Sequence, residues 1–443
     1  MPKFFSCFLL CFFMLFNTFT LAGDEKLYEM LRDNGNLINE HDKLKESPVD
    51  YNDQQKTSLN DNKQFVNVSS QPQSVNMTYN GSLQFNSVDG AFEYKIGGHV
   101  LSDIAFHQDD ESDLPNGSNF RKVKPFIKGK LFNDWLFIFN PNFANGDVNL
   151  EYANLAYAGF DNTVLRLGVT DEVWGIENWS SEKYTTFVER SLINALCLCD
   201  FRMSFGYNTW GDNWSFATGI YGGNPSANSS DDEGYGFSGR FTYAPINKKS
   251  KALHFGVSGI SRRPDQADNS MRIAPHPESH ITSPLLDTGS ITDIDYATAY
   301  SLEFASVYGP FSLQSEFMQQ QIYRQHENNL NFNGFYIYAS WFLTGESRNY
   351  DSTEGIFGHT KPKHNLHQGG TGAWEIGIRY SRLDLTDDTV LGGTEDNITL
   401  GLNWHPNNNM IFKANVIMAN TDNNAVKPND DPLIFLFRFQ FEF

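Results

Sequence analysis

The most constraining stretch of the chain is its end, Asp431 to Phe443. From Leu433 onward every odd position is Leu or Phe, whereas the even positions turn polar at Arg438, Gln440 and Glu442. Side chains alternate faces with period two along a strand, so one face of this segment is wholly apolar and the other becomes ionic. An edge strand of a soluble sandwich is one setting for such a pattern. It rarely sets Phe at successive outward positions opposite an ionised face. The other setting is a barrel wall in lipid, apolar outside and wet toward a lumen. Phe443 as the last residue fits that reading, because chains of outer-membrane barrels often end on an aromatic residue.

The rest of the chain leaves no other way to cross a membrane. Lys3, the apolar run Phe4 to Phe16 and the small residues near Ala22 form a secretory signal peptide over residues 1–22. A membrane anchor is the competing reading, but the run is shorter than the roughly twenty residues a spanning helix needs. No comparable stretch follows, so any later span is β, since only helices and closed barrels satisfy their backbone groups in hydrocarbon. Residues 23–46 place Leu27, Met30, Leu31, Leu37 and Ile38 at nearly helical spacing, which predicts a short helical periplasmic segment. Residues 47–80, rich in Asn, Gln, Ser and Asp, bury too little to offset their ordering entropy and read as a flexible linker.

Residues 81–443 change texture. Sixteen segments of about ten residues alternate apolar and polar between Phe92 and Phe443, separated by turn residues. Tight connections such as Asn133-Asp134 and Gly309-Pro310 alternate with long ones such as Asp171 to Asp200 and Arg263 to Asp295. Short turns belong on the periplasmic side and long loops outside. Asn145 to Asn149 is short on the outer side, and Thr344 to Gly372 is long on the inner one. Trp135, Trp214, Tyr243, Tyr308 and Trp341 fall near strand ends, where aromatic girdles belong. The predicted fold is an all-β, 16-stranded antiparallel transmembrane barrel.

Strand parity then sorts the charges. If Ile127 and Leu131 face lipid, Lys122, Lys124, Lys128 and Lys130 face inward together. In hydrocarbon each would cost roughly 2–4 kcal/mol at mid-depth. The same parity turns Lys95, Arg166, Arg202, Arg240, Arg262, Arg379, Lys413 and Arg438 inward, along with Glu93, Asp103, Glu303, Glu316, Glu375 and Glu442. Net charge is −20, which argues against nucleic-acid partners. The acidic runs Asp109 to Glu111, Asp231 to Glu233 and Asp430-Asp431 fall in outer loops, whose expected neighbours are outer-membrane lipid and lipopolysaccharide. Cys197 and Cys199 either pair with one another or stay as thiols. Ser340 and Ser381 lack a nucleophile context, His359, His364 and His367 lack an acidic partner at metal-site spacing, and no cofactor cradle is found.

Three ordered stretches carry a family resemblance. They are Ala339 to Tyr350 followed by Gly355-Ile356-Phe357, then Gly372 to Ser381 with Leu383-Asp384-Leu385, then Gly392-Gly393 and Gly401 to Trp404. Ser87 to Phe92 and Thr186 to Ser191 extend the likeness toward the N-terminus. The sequence resembles the phosphate-selective porin O and P family. That resemblance implies a homotrimer of sixteen-stranded barrels whose third loop folds inward and which pass small anions such as phosphate down a ladder of Arg and Lys. Under it Lys183 and Arg190, on the third loop, guard the narrowest point. Two alternatives stay open: a general diffusion porin with weak or cationic preference, and a barrel enzyme such as a lipase.

Overall fold

The computed structural model describes residues 75–443 apart from 80, 109, 112, 226–232 and 266–268. The signal peptide, the helical segment and the linker up to residue 74 lie outside the described residues. Sixteen strands form the wall: β1 (Glu93–Gln108), β2 (Gly117–Leu131), β3 (Trp135–Asn142), β4 (Asn149–Phe160), β5 (Thr163–Asp171), β6 (Phe201–Trp210), β7 (Trp214–Tyr221) and β8 (Tyr235–Lys248). They continue as β9 (Lys251–Arg263), β10 (Ile294–Tyr308), β11 (Phe311–Arg324), β12 (Leu330–Phe342), β13 (Ala373–Asp387), β14 (Val390–His405), β15 (Met410–Thr421) and β16 (Leu433–Glu442). Each pairs antiparallel with the next, and β16 pairs back onto β1 from Leu433 opposite Gln108 to Glu442 opposite His99. The barrel is closed and has no open edge in its wall.

Burial runs opposite to that of a soluble sheet. On β10, Tyr300 and Leu302 are about half exposed, whereas Ser301 and Glu303, alternating with them, are buried. Phe237 and Phe241 on β8, Leu167 on β5 and Ile378 on β13 are likewise exposed, with Arg240 and Arg379 buried at alternate positions. Apolar side chains outside and ions inside suit a wall in hydrocarbon and would be penalised in water. Phe132, Trp135, Phe160, Trp214, Tyr243, Tyr308, Phe311 and Trp341 ring the end that carries the short turns, Phe311 stacking on Trp341 at 5.3 Å.

A hairpin of Val75–Tyr79 and Leu83–Ser87 precedes the barrel and adds to β1 beyond the C-terminus, with Leu83 opposite Ile96 and Asn86 opposite Glu93. Its first strand occupies the end of the segment read from sequence as linker. Val75, Met77 and Tyr79 alternate there with polar residues, a short period-two pattern that composition averaged over the segment hides. Phe443 closes the seam by exchanging backbone hydrogen bonds with Gly98, at 2.8 and 3.0 Å.

Two outer loops and one inner connection fill much of the barrel. The third loop (172–200), which contains the one-turn helix α1 (Ile176–Trp179), packs Trp174, Leu192, Ile193 and Leu196 with Ile273, Leu286 and Ile291 of the fifth loop (264–293). Together they cover Met318, Phe332, Tyr336 and Leu383 on the inner wall of β11 to β13. The connection between β12 and β13 (343–372), for which the sequence offers no account, turns back into the barrel from the short-turn end. It carries a small hairpin of Asn349–Asp351 and Ile356–Gly358. Its Tyr350 hydroxyl lies 2.7 Å from His254 Nδ1 on β9.

Candidate functional site

The space these segments leave is an open cavity of about 400 Å³ against β1 to β5. Lys95, Lys128, Lys130 and Arg166 line it, together with Glu93, Asp171 and Glu354. Register explains the cluster: Lys95 stands directly opposite Lys128, and Glu93 opposite Lys130, across the β1–β2 ladder. Like charges directly opposite destabilise a sheet, so this pair is a local cost that the closed wall sustains. Glu93 relieves part of it through a 2.9 Å ion pair with Lys95. Among the described residues, Lys128, Lys130 and Arg166 have no carboxylate within salt-bridge distance. Tyr152, Asn154, Thr170, Phe137 and Trp179 supply the polar and aromatic remainder of the lining.

Elsewhere the inward cations are engaged. Lys122 and Lys124 share Glu151 at 2.8 and 2.5 Å, with Glu182 of the third loop at 3.8 and 3.9 Å. Arg202 reaches Glu172 at 2.7 Å, and Arg262 bonds the same carboxylate. Arg240 grips Glu303 through two bonds of 2.9 and 2.6 Å. Arg379 bridges Glu177 of the third loop at 3.2 Å and Glu278 of the fifth at 2.6 Å. Arg438 joins Asp103 and Glu189 at 2.6 and 2.5 Å. Arg240, Arg379 and Arg438 are buried, so parity places them inward yet water does not reach them. Lys183 pairs with Glu442 at 2.7 Å, and Arg190 donates to the carbonyl oxygens of Glu177, Asn178 and Ser180. Neither Lys183 nor Arg190 lines the open cavity.

The inward carboxylates serve as sockets for the loops. Glu316 accepts the backbone N–H groups of Ile176 and Glu177 at 2.9 and 3.1 Å, which satisfies orphan donors at the start of α1. Glu375 accepts from Asn403 at 2.9 Å and from Thr186 at 3.3 Å. Glu189, on the third loop, is pushed up by burial but more strongly down by the guanidiniums of Arg121 and Arg438, ending at about 2. It therefore stays ionised and bound at neutral pH.

Strict alternation misses Arg121. A bulge sets Leu101 opposite Lys122 and Ser102 opposite Phe120, so Arg121 is the extra residue and turns inward to Glu189 at 2.9 Å. The signal in the sequence is the broken pattern Phe120-Arg121-Lys122, one apolar residue followed by two cations. Glu354 is also missed, because its position depends on the inward turn of a connection with no strand period. Cys197 and Cys199 are joined by a disulfide. No cluster of three His, Cys, Asp or Glu suited to a metal occurs among the described residues.

The model of the family described as phosphate-selective porin O and P matches residues 94–443. The chain belongs to that family. Its sixteen-stranded closed barrel and inward third loop agree with what the resemblance implies, and its place is the bacterial outer membrane. Porin O of Pseudomonas aeruginosa is 26% identical over 82% of this chain and 91% of its own length. An uncharacterized protein of Caulobacter vibrioides is 25% identical over 76% of this chain and 70% of its own. Among solved structures, an anion-selective porin from Comamonas acidovorans aligns over 80% of this chain and all of its own, with TM-score 0.52 and 10% identity. At that identity the likeness shows the barrel fold alone. The hairpin upstream of Glu93 precedes the matched residues.

Proposed function

We propose that this outer-membrane porin conducts small anions, phosphate among them, passively through the cavity on the β1 to β5 side. The observation that carries the reading is the group Lys128, Lys130 and Arg166, open to that cavity and without ion-pair partners among the described residues, while most other inward cations are spent on carboxylates. Cations on a lumen wall lower the barrier for an anion by replacing part of its hydration, and they pass it on if no single site holds it tightly. Arg166 adds a planar fork of donors matched to phosphate oxygens. Solute moves down its gradient with no covalent step. The working unit is proposed to be a homotrimer in lipid and lipopolysaccharide, each barrel with its own pathway.

A second reading, a general porin with weak or cationic preference, is favoured by Glu93, Asp171 and Glu354 in the same cavity. Reversal potentials of the purified protein in a planar bilayer under a KCl gradient separate the two. An anion-selective potential, with chloride current reduced by added phosphate, is expected. A cation-selective potential overturns the proposal.

A further inference from the structure

The connection between β12 and β13 sends one side chain into the open cavity. Of its residues only Glu354 is in the lining, and its backbone is fixed there. Arg240, already held by Glu303, donates to the carbonyl oxygens of Glu354 at 2.7 Å and Gly355 at 2.8 Å. Gly355 has φ +64°, and a Cβ there would run into Thr242, so the turn at this point needs glycine. Asn247 donates to Ser352 Oγ at 2.8 Å, and the Asp351 carboxylate accepts the N–H of Thr353 at 2.9 Å. Arg348 lies 3.8 Å over the ring of Phe357 at the base of the hairpin. A turn tied at this many points holds the backbone of Glu354 in a set position at the cavity.

Among the charges that act on Glu354 are Arg166, Arg240 and Lys128 on the wall and Asp351 on its own turn, and Glu354 shares the cavity with Lys130, Glu93 and Asp171. Arg240 is already neutralised by Glu303. We infer that Glu354 is the counter-charge of the anion pathway, a selectivity-setting carboxylate that weakens the hold of Lys128 and Arg166 on a passing oxyanion so that it leaves the cavity. Glu93 is taken up by Lys95, and Asp171 is the other carboxylate of the lining. Without Glu354, Lys128, Lys130 and Arg166 would hold an oxyanion more tightly and release it more slowly, which suits a receptor better than a channel. This inference rests on the proposed anion conduction.

The test compares wild type, Glu354→Gln and Glu354→Asp as purified full-length channels in planar bilayers, with inorganic phosphate as the probe. Glu354→Gln is expected to raise the anion-to-cation permeability ratio about sixfold, because one unit charge across roughly 8 Å of water shifts anion and cation about 2.4-fold each in opposite senses. It should also lower, by a similar factor, the phosphate concentration that halves the chloride current. Glu354→Asp keeps the charge and should keep wild-type values. A Gln variant indistinguishable from wild type overturns the inference. So do equal shifts in both variants, which would mean that the shape of the turn matters and its charge does not. The wild-type reversal potential reports separately on anion conduction, so failure of that reading and failure of this inference are distinguishable.

Discussion

The packed side of the barrel interior and the open cavity against β1 to β5 use the same residue types to opposite ends. Against β8 to β13 the wall cations Arg240, Arg262 and Arg379 each have a carboxylate partner, and folded segments exclude water from Arg240 and Arg379. Against β1 to β5, Lys95 faces Lys128 across a ladder, and Lys128, Lys130 and Arg166 stay open to the cavity. An ion pair in a closed interior does little for transport but fixes a loop, because breaking it leaves an uncompensated buried charge. An open cation does little for the fold and sets the field a solute meets. The sign and direction of a side chain are therefore not enough to assign it to a pathway; its partner decides.

The largest effect is expected on the packed side. Arg379→Met strands Glu177 and Glu278, the carboxylates through which the third and fifth loops meet on β13. A loss of about 3–5 kcal/mol follows from leaving such charges unpaired. Thermal unfolding in detergent should shift down, and single-channel conductance should rise as the loops loosen. Unchanged values for both would break the distinction between anchors and pathway.

Acid should produce a smaller effect through Glu189. Its folded pKa, about 2, lies below the usual 4.5, so its contribution to loop docking is full above pH 4.5 and is lost as pH falls toward 2. Conductance of the wild type at pH 4 should therefore still show a docked third loop, with loosening confined to lower pH. Loosening already at pH 5 would place the anchor elsewhere.

Much of this arrangement is legible in the sequence, and the reason is local. Alternation within each strand is fixed by the pleat and the two solvents, which is why Tyr300 to Glu303 or Leu433 to Glu442 reveal their faces without any tertiary information. Partner choice is not local. That Arg379 meets Glu177 and Glu278, more than a hundred residues and two loops away, depends on how those loops fold back, and neither loop carries a strand period. The same holds for Glu354. Arg121 is hidden for a third reason, since one inserted residue in the β1–β2 ladder turns a lipid-facing position inward.

The central claim is that the open cations on the β1 to β5 side, Lys128 foremost, set ion preference. The most direct measurement is the reversal potential of the Lys128→Gln, Lys130→Gln double variant beside wild type under one KCl gradient. The account predicts an anion-selective wild type and a clear shift toward cations in the variant, with the barrel intact. A reversal potential that does not move when both lysines are neutralised would contradict it.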